Sequence, residues 1–241
     1  MTIRGTSTAD TNKTAIVTGG SRGFGRALAA ALAAQGWVVV VDGREATALG
    51  QAAEGALVVP VQGDVTDPAH RAELVSTARR RTGRLDLVVN NASALGPSPL
   101  PALRDLDPAA LRHLFETNVL APLALVQLAL PLLAESEGAV LNITSDAAVE
   151  AYEGWGGYGS SKAALDQLGN VLAVEEPGIR VWSFDPGDMR TEVHQAAFPG
   201  QDISDRPWPE TVVPVAVALI GDRPPSGRVR AADLGTAAAA R

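Results

Sequence analysis

The chain has 241 residues, 46% of them hydrophobic and 20% charged, which suits one large soluble domain with a sizeable core. A formal net charge of −7 argues against nucleic acid as the main partner, because phosphate binding wants a basic surface. There is no cysteine, hence no disulfide and no thiolate metal site, and the three scattered histidines, His70, His113 and His194, are not read as metal ligands.

Residues 1–12 (MTIRGTSTADTN) are polar and lack the apolar core of a secretory signal, so they are read as a loose tail, and the protein is expected in the cytoplasm. Lys13–Thr18 is a short apolar strand followed at once by GGSRGFG, and Arg26–Gln35 is rich in alanine and leucine, predicting a helix that ends near Gly36. Val38–Val41 is a continuous β-branched run, as in a strand covered on both faces. A helix over Glu45–Ala53, a strand over Ala56–Val61 and a helix opened by Asp67-Pro68, an N-cap before an N1 proline, come next.

Leu85–Asn90 is a further strand and Leu95–Pro101 a proline-rich loop, with two helical stretches after it, Pro108–Glu116 and Val119–Ala134. The apolar run Val119–Leu133 is shorter than the ~20 residues that span a bilayer, so it reads as a buried helix and no membrane partner is expected. Ala139–Thr144 is a strand, Tyr158–Val174 a helix and Ile179–Phe184 a strand. A loop rich in Pro, Trp and Asp, a helix near Glu210–Ile220, a strand near Arg228–Ala231 and a frayed end at 236–241 close the chain. Strands alternating with helices at this spacing predict one α/β domain over 13–235, a doubly wound parallel sheet with helices on both faces.

The chemistry centres on SDAAVEAYEGWGGYGSSK, Ser145 to Lys162. Tyr158 and Lys162 stand four apart, on one face if the chain there is helical. A free tyrosine has a pKa of about 10, and a neighbouring ammonium favours its phenolate and brings it towards the range of a proton-transfer catalyst. A serine hydroxyl ending a nearby strand could hold a substrate oxygen while Tyr158 exchanges a proton with it. That equipment reduces a carbonyl or oxidises an alcohol when a hydride carrier lies alongside. Tyr and Lys four apart also occur as an aromatic ring packed over an alkyl stem. The stretch Thr18-Gly19-Gly20-Ser21-Arg22-Gly23-Phe24-Gly25 lies between a strand and a helix, where glycines permit a tight turn and let the backbone approach a pyrophosphate.

Together these motifs resemble the short-chain dehydrogenase/reductase family, single-domain type, from about Lys13 to Ile220. TGGSRGFG is similar to the family's TGxxxGxG loop, and Asp64-Val65 to the pair that holds the adenine. Asn90-Asn91-Ala92 resembles the NNAG element, with Ser93 in place of its glycine, and Asn118 resembles the helix asparagine that orders a relay water. Ser145, Tyr158 and Lys162 match the catalytic trio, and Pro186-Gly187 and Thr191, with Met189 between them, the element at the nicotinamide end. The resemblance implies a Rossmann-like fold and hydride transfer, with Tyr158 as acid/base, Lys162 lowering its pKa and holding the ribose, Ser145 orienting the substrate and Asn118 supporting the relay. Both Ser93 and the C-terminal SGRVRAADLG, which lacks the usual glycine-rich close, depart from the pattern.

Asp42 points towards NAD, whose ribose 2′-OH takes a carboxylate. Counted from the loop, however, the family's discriminating position falls on Gly43, with Arg44 after it and Asp42 turned to the other face. Arg22 offers a second cation, so NADP(H) is the expected cofactor and NAD(H) the second choice.

The substrate pocket is expected from Leu95–Pro101, Tyr152–Trp155 and a variable loop at 188–208. Leu95, Tyr152, Trp155, Met189, Phe198 and Trp208 there suggest an apolar or aromatic carbonyl or alcohol. Val119–Leu133 is apolar almost all round, and in the family this helix and the one carrying the tyrosine build a homodimer or homotetramer. Two other readings stay open: the same fold reducing an imine or C=C bond or epimerising its substrate, and a nucleotide-binding regulator without catalysis.

Overall fold

The computed structural model describes residues 13–53 and 55–238; the tail expected at 1–12 and residues 239–241 lie outside the described residues. Seven strands are present among the described residues: β1 (Thr14–Val17), β2 (Val38–Gly43), β3 (Val58–Gln62), β4 (Leu87–Asn90), β5 (Ala139–Ile143), β6 (Arg180–Asp185) and β7 (Gly227–Arg230). They pair in parallel in the order β3-β2-β1-β4-β5-β6-β7, the doubly wound sheet that the alternation predicts. The order reverses between β1 and β4, and ligands of such sheets sit outside the strand ends at that reversal.

Burial on both faces explains the sequence of the central strands. TAIV, VVVVDG, LVVN and AVLNI are buried at every position. Successive side chains point opposite ways: Ala15 and Val17 join one apolar cluster and Ile16 the other. β3 is an edge strand, so Pro60, opposite Val41, leaves no neighbour short of a hydrogen bond.

One face carries α1 (Gly23–Ala34), α2 (Ala46–Ala52) and α8 (Pro209–Asp222), which bury Leu28, Leu32, Leu49, Val213 and Ala216 against Val41, Leu141 and Phe184. The other carries α3 (Pro68–Thr82), α5 (Ala121–Glu135) and α6 (Gly156–Glu175), with Leu74, Leu125, Ala129 and Leu133 packed against Ile16, Val40, Val88 and Val140. Each such valine, leucine, isoleucine or phenylalanine is worth roughly 1.5–3 kcal/mol when fully buried. As the Asp67-Pro68 signal predicts, the Asp67 carboxylate accepts from the Ala69 N–H at 2.9 Å and opens α3, and Gly83, at φ 77°, ends it.

Three elements differ from expectation. The stretches expected as separate helices over 108–116 and 119–134 are continuous: α4 (Pro108–Phe115) runs through a π-helical turn, Glu116–Leu120, into α5. Pro122, which has no N–H to give the helix ladder, directly follows the π turn, where the regular i→i−4 pattern is already interrupted. This 28-residue helix is long and apolar enough to cross a bilayer, but half of its apolar stretch is buried in the domain, as in a core helix. The variable loop contains a short helix, α7 (Glu192–Ala197). Beyond β7, where fraying was expected from 236, the chain stays helical as α9 (Ala231–Ala238).

Candidate active site

A cleft of ≈ 1130 Å³ lies at the strand ends where the sheet order reverses. Ser145 follows β5 and opens a single turn over 146–148, accepting from the Ala147 N–H at 3.2 Å and donating to Asp146 Oδ1 at 2.9 Å. Tyr158 and Lys162 lie one turn apart near the start of α6, and all three residues line the cleft. Trp155 stands edge-on to the Tyr158 ring, with centroids 5.7 Å apart, and Phe198 continues the aromatic wall 6.0 Å from Trp155.

Burial dominates the acid–base balance of the pair. It pushes the Tyr158 phenol well above its ordinary value, and the charges of Asp185 and Asp146 act the same way. The opposing pull is the polar contact with the Ser93 hydroxyl, not the ammonium of Lys162 as expected. Lys162 is 2% exposed, donates to the Ile143 carbonyl at 2.8 Å and lies 5.5 Å from the phenol ring centroid. Burial lowers its own pKa to about 8. The tyrosine is therefore held as a protonated donor at neutral pH, while the lysine retains its charge only below about pH 8.

Asn118 occupies the π turn, is 1% exposed and spends its amide on neighbours. Its Oδ1 accepts from the Ala94 N–H at 2.8 Å and the Ser93 hydroxyl at 3.2 Å, and its Nδ2 donates to Ala94 O and Ser161 Oγ, each at 2.9 Å. Ser93 therefore links Asn118 to Tyr158 directly. A glycine in its place would leave that link without a side chain.

The other half of the cleft is built on the glycine loop. The Asn91 amide donates to Thr18 O at 2.8 Å and Gly19 O at 3.1 Å, and a Cβ on Gly25 would sit 2.3 Å from the Asn91 nitrogen, so only glycine fits there. Helix α1 begins at Gly23 with no side chain capping its first turn, and Gly19, Ser21, Arg22, Gly23 and Phe24 line the cleft. An uncapped helix start beside a glycine turn is a donor set that fits a pyrophosphate. Ala92, Ser93, Pro186, Gly187, Met189 and Thr191 complete this wall, together with Asn91.

Asp42 is 2% exposed and turned inward, where it accepts from the Gly19 N–H at 2.5 Å and pairs with His70 Nε2 at 3.1 Å. It thus braces the loop from below and is unavailable to a ribose. The next position, Gly43, carries no carboxylate, and a Cβ there would lie 2.7 Å from Ser21 Oγ. Arg44 and Arg22 line the cleft; Arg22 is also ion-paired with Glu45 and, at 2.8 Å, with Glu192 of α7. Asp64 and Val65, expected at the adenine, are not part of the wall. Burial raises the pKa of Asp64, but two hydrogen bonds from Thr66, at 2.8 and 2.9 Å, outweigh it and turn the carboxylate into a local turn. Val65 is buried.

A family model described as short chain dehydrogenase matches residues 13–202. The chain belongs to this family. The dehydrogenase is 37% identical over 199 residues to sepiapterin reductase of Rattus norvegicus, with 76% of each chain covered. It is 38% identical over 184 residues to L-fucose dehydrogenase of Mus musculus, which covers 74% of this chain and 66% of that one. A short chain dehydrogenase from Shigella flexneri, solved with NADP, superimposes with a TM-score of 0.84 at 29% identity, covering 90% of this chain and 95% of that one. The dehydrogenase is accordingly an NAD(P)-dependent oxidoreductase by family.

Each residue expected at the substrate lines the same cleft: Leu95, Tyr152, Trp155, Met189, Phe198 and Trp208. Sequence reasoning missed two others of this dehydrogenase. Asp146 sits between the Ser145 hydroxyl and the Tyr152 phenol, bonded at 2.9 and 3.0 Å, and its place directly after the serine was a usable signal. Arg228 on β7 holds the Ser145 carbonyl at 3.0 Å, Asp185 at 2.9 Å and Asp166 at 2.5 Å, across 83, 43 and 62 residues, with no local signal.

Proposed function

We propose that the protein is an NADP(H)-dependent reductase of apolar or aromatic ketones and aldehydes, able to run in reverse as an alcohol dehydrogenase. The observation that carries this reading is the half-buried Tyr158 phenol on a cleft shared by Ser145, Lys162 and the glycine loop. NADP(H), when bound, supplies the hydride. Gly19, Ser21, Gly23 and Phe24 would hold its pyrophosphate, Arg44 and Arg22 its 2′-phosphate, and Lys162 its ribose. The absence of a carboxylate at Gly43 and the inward turn of Asp42 favour the phosphorylated cofactor, as do solved relatives from Shigella flexneri and Escherichia coli described with NADP and NADPH.

Within the cleft, the Ser145 hydroxyl turns from Asp146 Oδ1 to orient the carbonyl oxygen, and Tyr158 delivers the proton to it. A water chain supported by Asn118 would resupply the phenol's proton, with Ser93, which donates to Asn118 Oδ1, standing beside the phenol. The aromatic wall excludes water from the reacting carbon. We read the protein as cytoplasmic and self-associating: Leu120 and Leu128 on the long helix and Val171 and Val174 on α6 are exposed.

NADPH consumption by wild type and Tyr158→Phe across ketones, aldehydes, quinones and imines tests the assignment. Loss of a general acid is expected to lower turnover by about 100-fold or more. Survival of turnover in the variant would place the proton donor elsewhere. Preference for imines would move the reaction class, and tight NADPH binding with no turnover of any substrate would leave a regulator.

A further inference from the structure

We propose that Asp146 sets the charge class of the substrate: the cleft takes carbonyl compounds that are neutral or cationic and carry a hydrogen-bond donor near the carbonyl, and it rejects anionic ones. The inference rests on the reductase reading and adds a selectivity to it.

Asp146 lines the cleft directly beside the serine that receives the carbonyl oxygen. Its Oδ1 accepts from the Ser145 hydroxyl at 2.9 Å and the Ala147 N–H at 2.8 Å, and its Oδ2 from the Tyr152 phenol at 3.0 Å. A carboxylate offers about four acceptor positions, so Oδ2 keeps one for a ligand.

The neighbouring charges are spoken for. Asp185 is paired with Arg228, Asp188 with Arg206 and His194, and Glu192 with Arg22. Lys162 donates to the Ile143 carbonyl. Arg190 lies over the Trp208 ring, 4.6 Å from its centroid, and its charge bears on Asp202. Among the described residues no cation pairs with Asp146. A substrate placed on Ser145 therefore meets an unneutralised negative charge.

That charge also works against the reaction on a bare carbonyl. It opposes negative charge on Tyr158, and it would oppose the charge that develops on the substrate oxygen. A donor or cation on the substrate, seated on Oδ2, offsets this cost. A carboxylate or phosphate in the same place adds to it.

The test uses the NADP⁺-saturated protein for calorimetric binding and the NADPH-supplied enzyme for turnover. Its probes are aryl methyl ketones of matched size bearing a neutral, a carboxylate or an aminomethyl substituent. Wild type is expected to favour the ammonium and neutral ketones over the carboxylate by about tenfold or more in both Kd and kcat/KM. Asp146→Asn keeps acceptor and shape, so its thermal midpoint should stay close to wild type while the charge preference collapses.

A carboxylate ketone accepted as well as the others by wild type overturns the proposal, and so does a preference that survives in Asp146→Asn. Charge-selective binding without any turnover would leave Asp146 in this role and refute the reductase reading instead.

Discussion

Lys162 is the residue whose burial should be read most easily in solution. Its pKa falls from an ordinary 10.5 to about 8 because the charged form is disfavoured inside the protein. Below about pH 8 the lysine is charged in both folded and unfolded chains, and the full burial penalty is present. Between about 8 and 10.5 the unfolded chain binds more protons, so stability contributed by this group rises with pH. Lys162→Met is therefore expected to be more stable than wild type below pH 8, with the gap closing as pH approaches 10.5; urea melts at a series of pH values measure it. An unchanging gap would mean that the lysine is not titrating there. For the wild type, the reduction rate is expected to fall along a limb centred near pH 8, where the ammonium is lost. The spacing of Tyr158 and Lys162 made the pair legible in the sequence, but not its electrostatics. Proximity suggested a lowered phenol, whereas the structure adds the desolvation that raises it and the Ser93 hydroxyl that opposes the rise.

At the scale of elements, what the sequence showed well was whatever depends on neighbours along the chain. β1, β2 and the Asp67-Pro68 start of α3 follow from runs and caps of a few residues. The junction of α4 and α5 did not, because two proline-marked segments look separate until the Asn118 amide is seen bonded to the loop after β4. Arg228 is the extreme case, with three carboxylate or carbonyl partners on β6, on α6 and after β5. Its Asp185 partner is buried, and burial raises that carboxylate's pKa. Arg228→Met should leave Asp185 without its cation, cost about 2–4 kcal/mol of stability and loosen the Ser145 turn. Calorimetric melting checks the first part. A fall in kcat larger than the change in NADPH Kd checks the second, because the guanidinium touches the serine carbonyl and does not line the cleft. Equal effects on both would make Arg228 a purely structural residue.

For the whole molecule, the parallel sheet and its helices on both faces were implied by alternating strands and helices, whereas the strand order and the cleft at its reversal came only with the structure. Assembly is a separate matter of surface. Leu128, Val171 and Val174 are 46%, 42% and 81% exposed on helices that otherwise serve the core, an apolar surface that a second copy would cover. Light scattering on wild type should give a dimer or tetramer, and Leu128→Glu with Val174→Glu should move the mass towards a monomer. A wild-type monomer at micromolar concentration would remove the reading.

The inward turn of Asp42 constrains anyone who would re-engineer this enzyme for the unphosphorylated coenzyme. The carboxylate that appears ready for the task is already consumed in bracing the loop through Gly19 and His70. Removing it would loosen the turn rather than alter selectivity. A new acid would have to enter at Gly43, where its first carbon would collide with the Ser21 hydroxyl. Coenzyme exchange in this scaffold is thus a coupled substitution, in which position 21 must shrink before position 43 can grow.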